Sequence, residues 1–125
     1  MPALVTCSIR DLPASGPRWA IVRFAMMQGP AWRLAGVRWE PGMAPSAALH
    51  RWWRSMLADH GPLAPWEQYV ARWHAEKADD ARYWRLVAEA ARCGGLVLAC
   101  WCRDEARCHR TLVARDVQAR GGARA

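Results

Sequence analysis

Along this chain the spacing of apolar residues changes twice, and the changes mark out its predicted elements. Residues 3–9 (ALVTCSI) alternate loosely, carry β-branched side chains and run into the turn-rich RDLPASGP, the pattern of a strand and its loop. Residues 18–27 (RWAIVRFAMM) form a fuller apolar run that stops at Gln28, Gly29 and Pro30, as a strand buried on both faces would. A shorter third run, AGVRWE at 35–40, ends at Pro41 and Gly42 and reads as another strand.

From Ser46 the period becomes helical. Leu49, Trp52, Trp53, Met56 and Leu57 fall on one face of a helix, with Ser46 as its N-cap and Gly61-Pro62 as its stop. Pro65 stands where a first helical residue belongs, and Trp66, Tyr69, Val70 and Trp73 continue the same spacing in a second helix. Asp79 and Asp80 supply the cap of a third, in which Trp84, Val87, Ala88 and Ala91 make the apolar face and Gly94-Gly95 the C-terminal stop.

The glycine pair hands the chain to LVLACW, a buried strand over residues 96–101, followed by a loop over 102–107 and a last helix marked by Leu112, Val113 and Val117. There are no repeats and no linker, and the RGGARA ending carries no apolar content. The reading is therefore a single α/β domain over residues 1–120 with a disordered tail at 121–125. A small, mainly parallel or mixed sheet is packed by four helices, with the strand beginning at Leu96 central and a ligand site at the C-terminal end of that strand.

The end of that strand is where chemistry-bearing residues crowd. Cys100 and Cys102 would share a face if the strand persisted, with Trp101 on the other. Cys108, His109 and Arg110 then open the last helix, with Asp104 as a candidate N-cap, so a thiol, an imidazole and a guanidinium meet the unpaired amides of a helix N-terminus. Three chemistries compete. Zinc by Cys100, Cys102, Cys108 and His109 has suitable ligand types, but C-x-C followed by adjacent Cys-His is awkward for one tetrahedron, and the spacing ranks it as the minority reading. A nucleophilic or redox thiol fits a cysteine near a helix N-terminus and arginines. Cys102 and Arg107 have the C-x4-R spacing of a rhodanese-type loop, but CRDEAR lacks the glycine that would aim consecutive amides at an anion. The C-x5-R of tyrosine phosphatases follows none of the cysteines. The plainest alternative is that the cysteines are small core residues and that His109 and Arg110 charge-balance the helix.

Charge and composition sharpen the ligand side. The formal charge of +7 rests on seventeen arginines and one lysine, Lys77, and the guanidinium fork suits phosphate and carboxylate partners. The same arginine, alanine, glycine and tryptophan richness is also what a GC-rich genome writes. Nine tryptophans invite base stacking, yet Trp52, Trp53, Trp66, Trp73 and Trp84 sit at helical-period positions that core packing explains. Five cysteines, three of them within nine residues, and no secretory leader pattern suit reduced thiols in a soluble, cytoplasmic protein, and the longest apolar stretch is far too short to cross a bilayer.

LVLACWCRDEARCHRTLVA resembles the C-terminal signature of the domain of unknown function 488 family, in which an apolar strand ends in Leu-Cys-x-Glu and a short acidic loop leads to Cys-His-Arg and a leucine-rich helix. LHRWWRSMLADHGPLAPWEQYVARWHAEK is similar to the middle of its YeaO-like branch. The resemblance covers roughly residues 46–116 and puts Cys100, Cys108, His109, Arg110, Trp53, Trp66, Tyr69 and Glu76 on family positions. Cys102 stands where the signature has glutamate, so the resemblance does not carry an acid-base role over to that position, and the Cys-Trp-Cys variant is similar to domain of unknown function 4326. The resemblance implies an α/β fold with a shared site, and no reaction.

These strands combine into one expectation: a site binding or acting on a nucleotide or nucleic-acid phosphate. Arg110, with Arg103 or Arg107, would hold the phosphate, His109 would be the acid-base group, Cys108 or Cys102 the reactive thiol, and Trp101 and Trp39 would stack on a base. No cofactor is required by that reading, although zinc would belong to its rival. The rival is a non-catalytic basic module that binds nucleic acid or a protein partner, with structural or zinc-bound cysteines; an adaptor or inhibitor would leave no motif.

Overall fold

A computed structural model describes residues 4–23, 35–102 and 104–121. Four strands, β1 (Val5–Ser8), β2 (Arg18–Ala20), β3 (Arg38–Trp39) and β4 (Val97–Cys100), form one sheet in the order β1-β4-β2-β3, and every pairing is parallel. Among the described residues four α-helices pack with it: α1 (Ala47–His60), α2 (Trp66–Lys77), α3 (Ala81–Ala91) and α4 (His109–Gly121). The chain is thus a single α/β unit with β4 central, as the apolar run at Leu96 predicts.

Central position explains the composition of β4. Its four residues are all buried, since neighbours occupy both edges and side chains fill both faces. Leu98 and Cys100 point to one side and Val97 and Ala99 to the other.

The strands are shorter than their apolar runs. In the second run only Arg18–Ala20 is strand, because β4 ends at Cys100 and leaves little partner beyond it; Ile21 still donates its amide to the Ala99 carbonyl at 2.9 Å. Phe24 to Met27 lie outside the described residues. The third run gives only Arg38–Trp39, an exposed edge. There Trp39 is 49% exposed and its indole donates to the Val22 carbonyl at 2.5 Å.

Helix ends follow the caps read from sequence. Ser46 accepts the Leu49 amide at 3.1 Å and α1 stops at Gly61, whose φ of 53° a side chain would resist. Asp80 accepts the Tyr83 amide and starts α3. Asp104 differs from expectation: it caps a 3-10 turn at Glu105–Arg107, and α4 begins after it at His109. At the other end α4 continues through Gly121, one residue into the stretch read as tail, because Gly121 packs against Ala91 so closely that a Cβ would lie 2.8 Å from the Ala91 methyl. Residues 122–125 lie outside the described region.

The core is strongly aromatic. Trp53, Trp66, Tyr69, Trp73 and Tyr83 form a ladder from α1 through α2 to α3 with centroids 4.8 to 5.8 Å apart for the Trp53–Tyr69, Trp66–Tyr69, Trp53–Trp66 and Trp73–Tyr83 pairs, and 6.5 Å between Tyr69 and Trp73. Trp53 and Trp73 are buried, while Trp52, Trp66 and Trp84 pack half-buried against the same core. The ladder ends on the His109 ring, 5.7 Å from Trp73, and so supports the first turn of α4.

Candidate functional site

Parallel strands bring their C-terminal ends to one edge, and the residues that follow them converge there. Ser8 pairs with Cys100 and Ala20 with Ala99, so the segments after β1, β2 and β4 emerge side by side. Between them and α1 lies a cavity of about 790 Å³ whose walls include Cys100, Cys102, Cys108 and His109.

The thiols sit close together. Cys100 and Cys108 are each 1% exposed, with their sulfurs 2.9 Å apart, while Cys102 is exposed. β4 stops at Cys100 and the chain bends at Trp101, so strand alternation does not bring Cys102 to this place; the bend does. Hydrogen bonding with Cys102 and Cys108 holds the Cys100 thiol well below the ordinary range, and the same contacts together with burial push the other two above it.

His109 is 7% exposed, and burial lowers its pKa, which keeps the ring neutral. Nε2 lies 2.6 Å from the Ile21 carbonyl, which can only accept, so the proton is on Nε2 and the Nδ1 lone pair faces Cys108 Sγ at 3.8 Å. The ring is therefore anchored by backbone and turned toward sulfur. The ligand atoms of Cys100, Cys102, Cys108 and His109 all lie within 4.8 Å of one another, a group that could hold a metal ion. Sequence spacing argued against one tetrahedron, but that argument assumed loop knuckles. Here one of the four residues ends a strand, one follows a bend and two stand at the start of a helix.

Arg110 lies on the inner side of α4. It is 4% exposed and turned inward, donating to the Cys102 carbonyl at 2.9 Å and to Cys100 Sγ at 3.5 Å. Packing of α4 on the sheet places it against the cysteine cluster, and it is not among the residues that line the cavity. Arg103 lies outside the described residues. Arg107 lines the cavity, paired with Asp104 at 3.1 Å, donating to the Pro62 carbonyl at 3.3 Å and lying over the Trp53 ring at 5.9 Å. Trp101 also lines the cavity, with the Arg10 guanidinium 5.3 Å from its ring centre. Trp39 is on the far side of β2 from β4 and is not part of the wall, which removes it as a stacking partner here.

Three arginines of the wall escaped the sequence reading. Arg10 and Arg23 follow β1 and β2 almost directly, and Arg54 projects from α1; His50, on the same helix, has its pKa lowered by burial and by Arg54. Their signal was present in part, since residues just past the ends of parallel strands belong to the binding edge. It became readable only once the strands were known to be parallel. Arg54 makes no hydrogen bond or ion pair among the described residues.

Among the described residues, no helix is long and apolar enough to cross a membrane. No curated protein and no solved structure matches the chain. A family profile does, over residues 5–121, which takes in all four strands and all four helices. The chain belongs to the domain of unknown function 488 family, in the group described as the active DUF488-N3 subclade.

Proposed function

We propose that the cavity is a catalytic pocket for a phosphate-bearing ligand, a nucleotide or the end of a nucleic acid. The observation that carries this reading is that four arginines, Arg10, Arg23, Arg54 and Arg107, line a wall that has one acidic residue, Asp104; Arg23 also donates to the Pro45 carbonyl at 2.8 Å and Arg10 to the Trp101 carbonyl at 3.1 Å. They come from four separate segments, so a helical charge stripe does not account for them. Arginine forks match phosphate oxygens two at a time, and a partly enclosed site strengthens such bonds. A cavity of about 790 Å³ is of the size that takes a nucleotide.

In this reading Arg54 and Arg23 receive the phosphate at the mouth, Arg107 braces one wall, and Trp101 offers a face for a base. Cys102, exposed at the same wall, is the cysteine nearest solvent beside the bound ligand. His109 lies behind the sulfurs and orients them. The description of the subclade as active supports catalysis over passive binding.

Calorimetric titration tests this with inorganic phosphate, a set of nucleoside mono-, di- and triphosphates, and a short single-stranded oligonucleotide. Binding is expected to weaken with salt and to fall about tenfold in Arg54→Ala, the loss of about one charge-assisted hydrogen bond. Absence of binding by every phosphate compound at millimolar concentration, or binding indifferent to Arg54→Ala and Arg23→Ala together, refutes it.

A further inference from the structure

We propose that Cys100, Cys102, Cys108 and His109 bind a single zinc ion at the floor of the cavity. Three sulfurs and one imidazole nitrogen are the donor set that selects zinc among common divalent cations. In a tetrahedral centre with zinc–sulfur bonds of about 2.3 Å, sulfurs stand about 3.8 Å apart. The Cys100 and Cys108 sulfurs stand 2.9 Å apart and no separation in the group exceeds 4.8 Å, so shifts of about 1 Å complete the tetrahedron.

Three further features fit an ion at this place. The His109 ring presents Nδ1 to the sulfurs while its Nε2–H is held by the Ile21 carbonyl, the outer contact that fixes tautomer and ring orientation in metal-bound histidines. Three thiolates around a divalent cation leave one net negative charge, and the buried Arg110 guanidinium, 3.5 Å from Cys100 Sγ, carries the compensating positive one. It also donates to the Cys102 carbonyl and so ties down the bend that delivers the third sulfur. Binding is ligand exchange without redox change: zinc sheds bound water, the thiols release their protons to solvent, and four protein donors take its coordination sites. The ion then fastens the end of β4 to the start of α4 and keeps three adjacent thiols from pairing as disulfides.

The inference shares a cavity with the phosphate reading but does not rest on it. Full-length protein, grown with zinc and purified without chelator, is expected to carry about one zinc per chain by elemental analysis. Replacement by cobalt(II) should give thiolate-to-cobalt charge-transfer bands and the visible bands of a tetrahedral site. The Cys7→Ser, Cys93→Ser double variant should keep the metal, and Cys100→Ser or Cys108→Ser should lose it. Should those buried substitutions prevent folding, the exposed Cys102→Ser decides by losing one thiolate's share of charge-transfer intensity. Protein that is metal-free as purified and takes up no zinc against a micromolar-affinity chromophoric chelator overturns the proposal, as does a cobalt spectrum unchanged in Cys102→Ser. Zinc-bearing protein indifferent to phosphate compounds would refute only the phosphate reading, and metal-free protein that takes up no zinc yet binds those compounds only this one.

Discussion

Replacing Trp73 with alanine should remove a large share of the stability of this protein. The indole is fully buried, at the point where α2 meets α3 and α4. Its ring centre lies 6.5 Å from Tyr69, 5.8 Å from Tyr83 and 5.7 Å from His109, and the Lys77 ammonium sits 4.9 Å from it. Truncation of a buried tryptophan costs about 3–5 kcal/mol, from lost transfer energy and the cavity left behind. Two aromatic pairs at about 0.5–1.5 kcal/mol each, and a desolvated cation–π contact of up to about 2 kcal/mol, place Trp73 at the upper end of that range. Against a total of about 5–15 kcal/mol for a domain, this is a third or more. Urea unfolding followed by far-ultraviolet circular dichroism measures it, since fluorescence would mix the lost fluorophore with the transition. Trp52→Ala is the control: that ring is half-buried with the Arg72 guanidinium 4.1 Å from its centre, and its loss should cost about 1–2 kcal/mol. A Trp73→Ala cost below about 2 kcal/mol, or no larger than that of Trp52→Ala, would refute the claim that the ladder holds the helices together.

Two further outcomes follow from particular contacts. Ser46→Ala should lower stability by about 1–2 kcal/mol in a thermal melt, because the hydroxyl caps α1 through Leu49 and also donates to Glu76 on α2 at 2.7 Å; a loss under about 0.5 kcal/mol would mean the cap is not shared between the helices. Lys77 has its pKa lowered from the usual lysine value, chiefly by burial, with Glu76 and Asp80 opposing and Arg23 adding to the shift. The unfolded chain therefore holds that proton more tightly, and the penalty of burying the charge is relieved as pH rises through the folded value toward that of the unfolded chain. Melting temperatures of wild type relative to Lys77→Met should accordingly rise between neutral pH and pH ~9.5, and a flat or falling difference contradicts this.

Much of the fold is local and so was legible before any coordinates. The Ser46 and Asp80 caps, the stop at Gly61 and the all-apolar β4 rest on backbone hydrogen bonding and burial periodicity, which act over a few residues. Strand lengths were overread because an apolar run says what is buried and not what is paired: Ile21 and Val22 are core residues just beyond the strand, one of whose carbonyls anchors His109. At the site, composition marked the crowding of Cys100, Cys102, Cys108 and His109, while spacing did not show that their ligand atoms lie within 4.8 Å of one another. Arg110 looked like a phosphate ligand because it follows Cys-His at a helix start, yet which side of a helix faces inward is decided by what it packs on.

By itself, then, the sequence determined the elements, the central strand and the crowding of cysteine, histidine and arginine beyond it, since these depend on neighbours in the chain. Only the tertiary structure decided that Arg10, Arg23 and Arg54 share a cavity wall with those cysteines, and that four donors from a strand end, a bend and a helix start lie within 4.8 Å. Parallel pairing is the reason: it gathers the ends of strands far apart in sequence at one edge, where no local period records which side chains will meet.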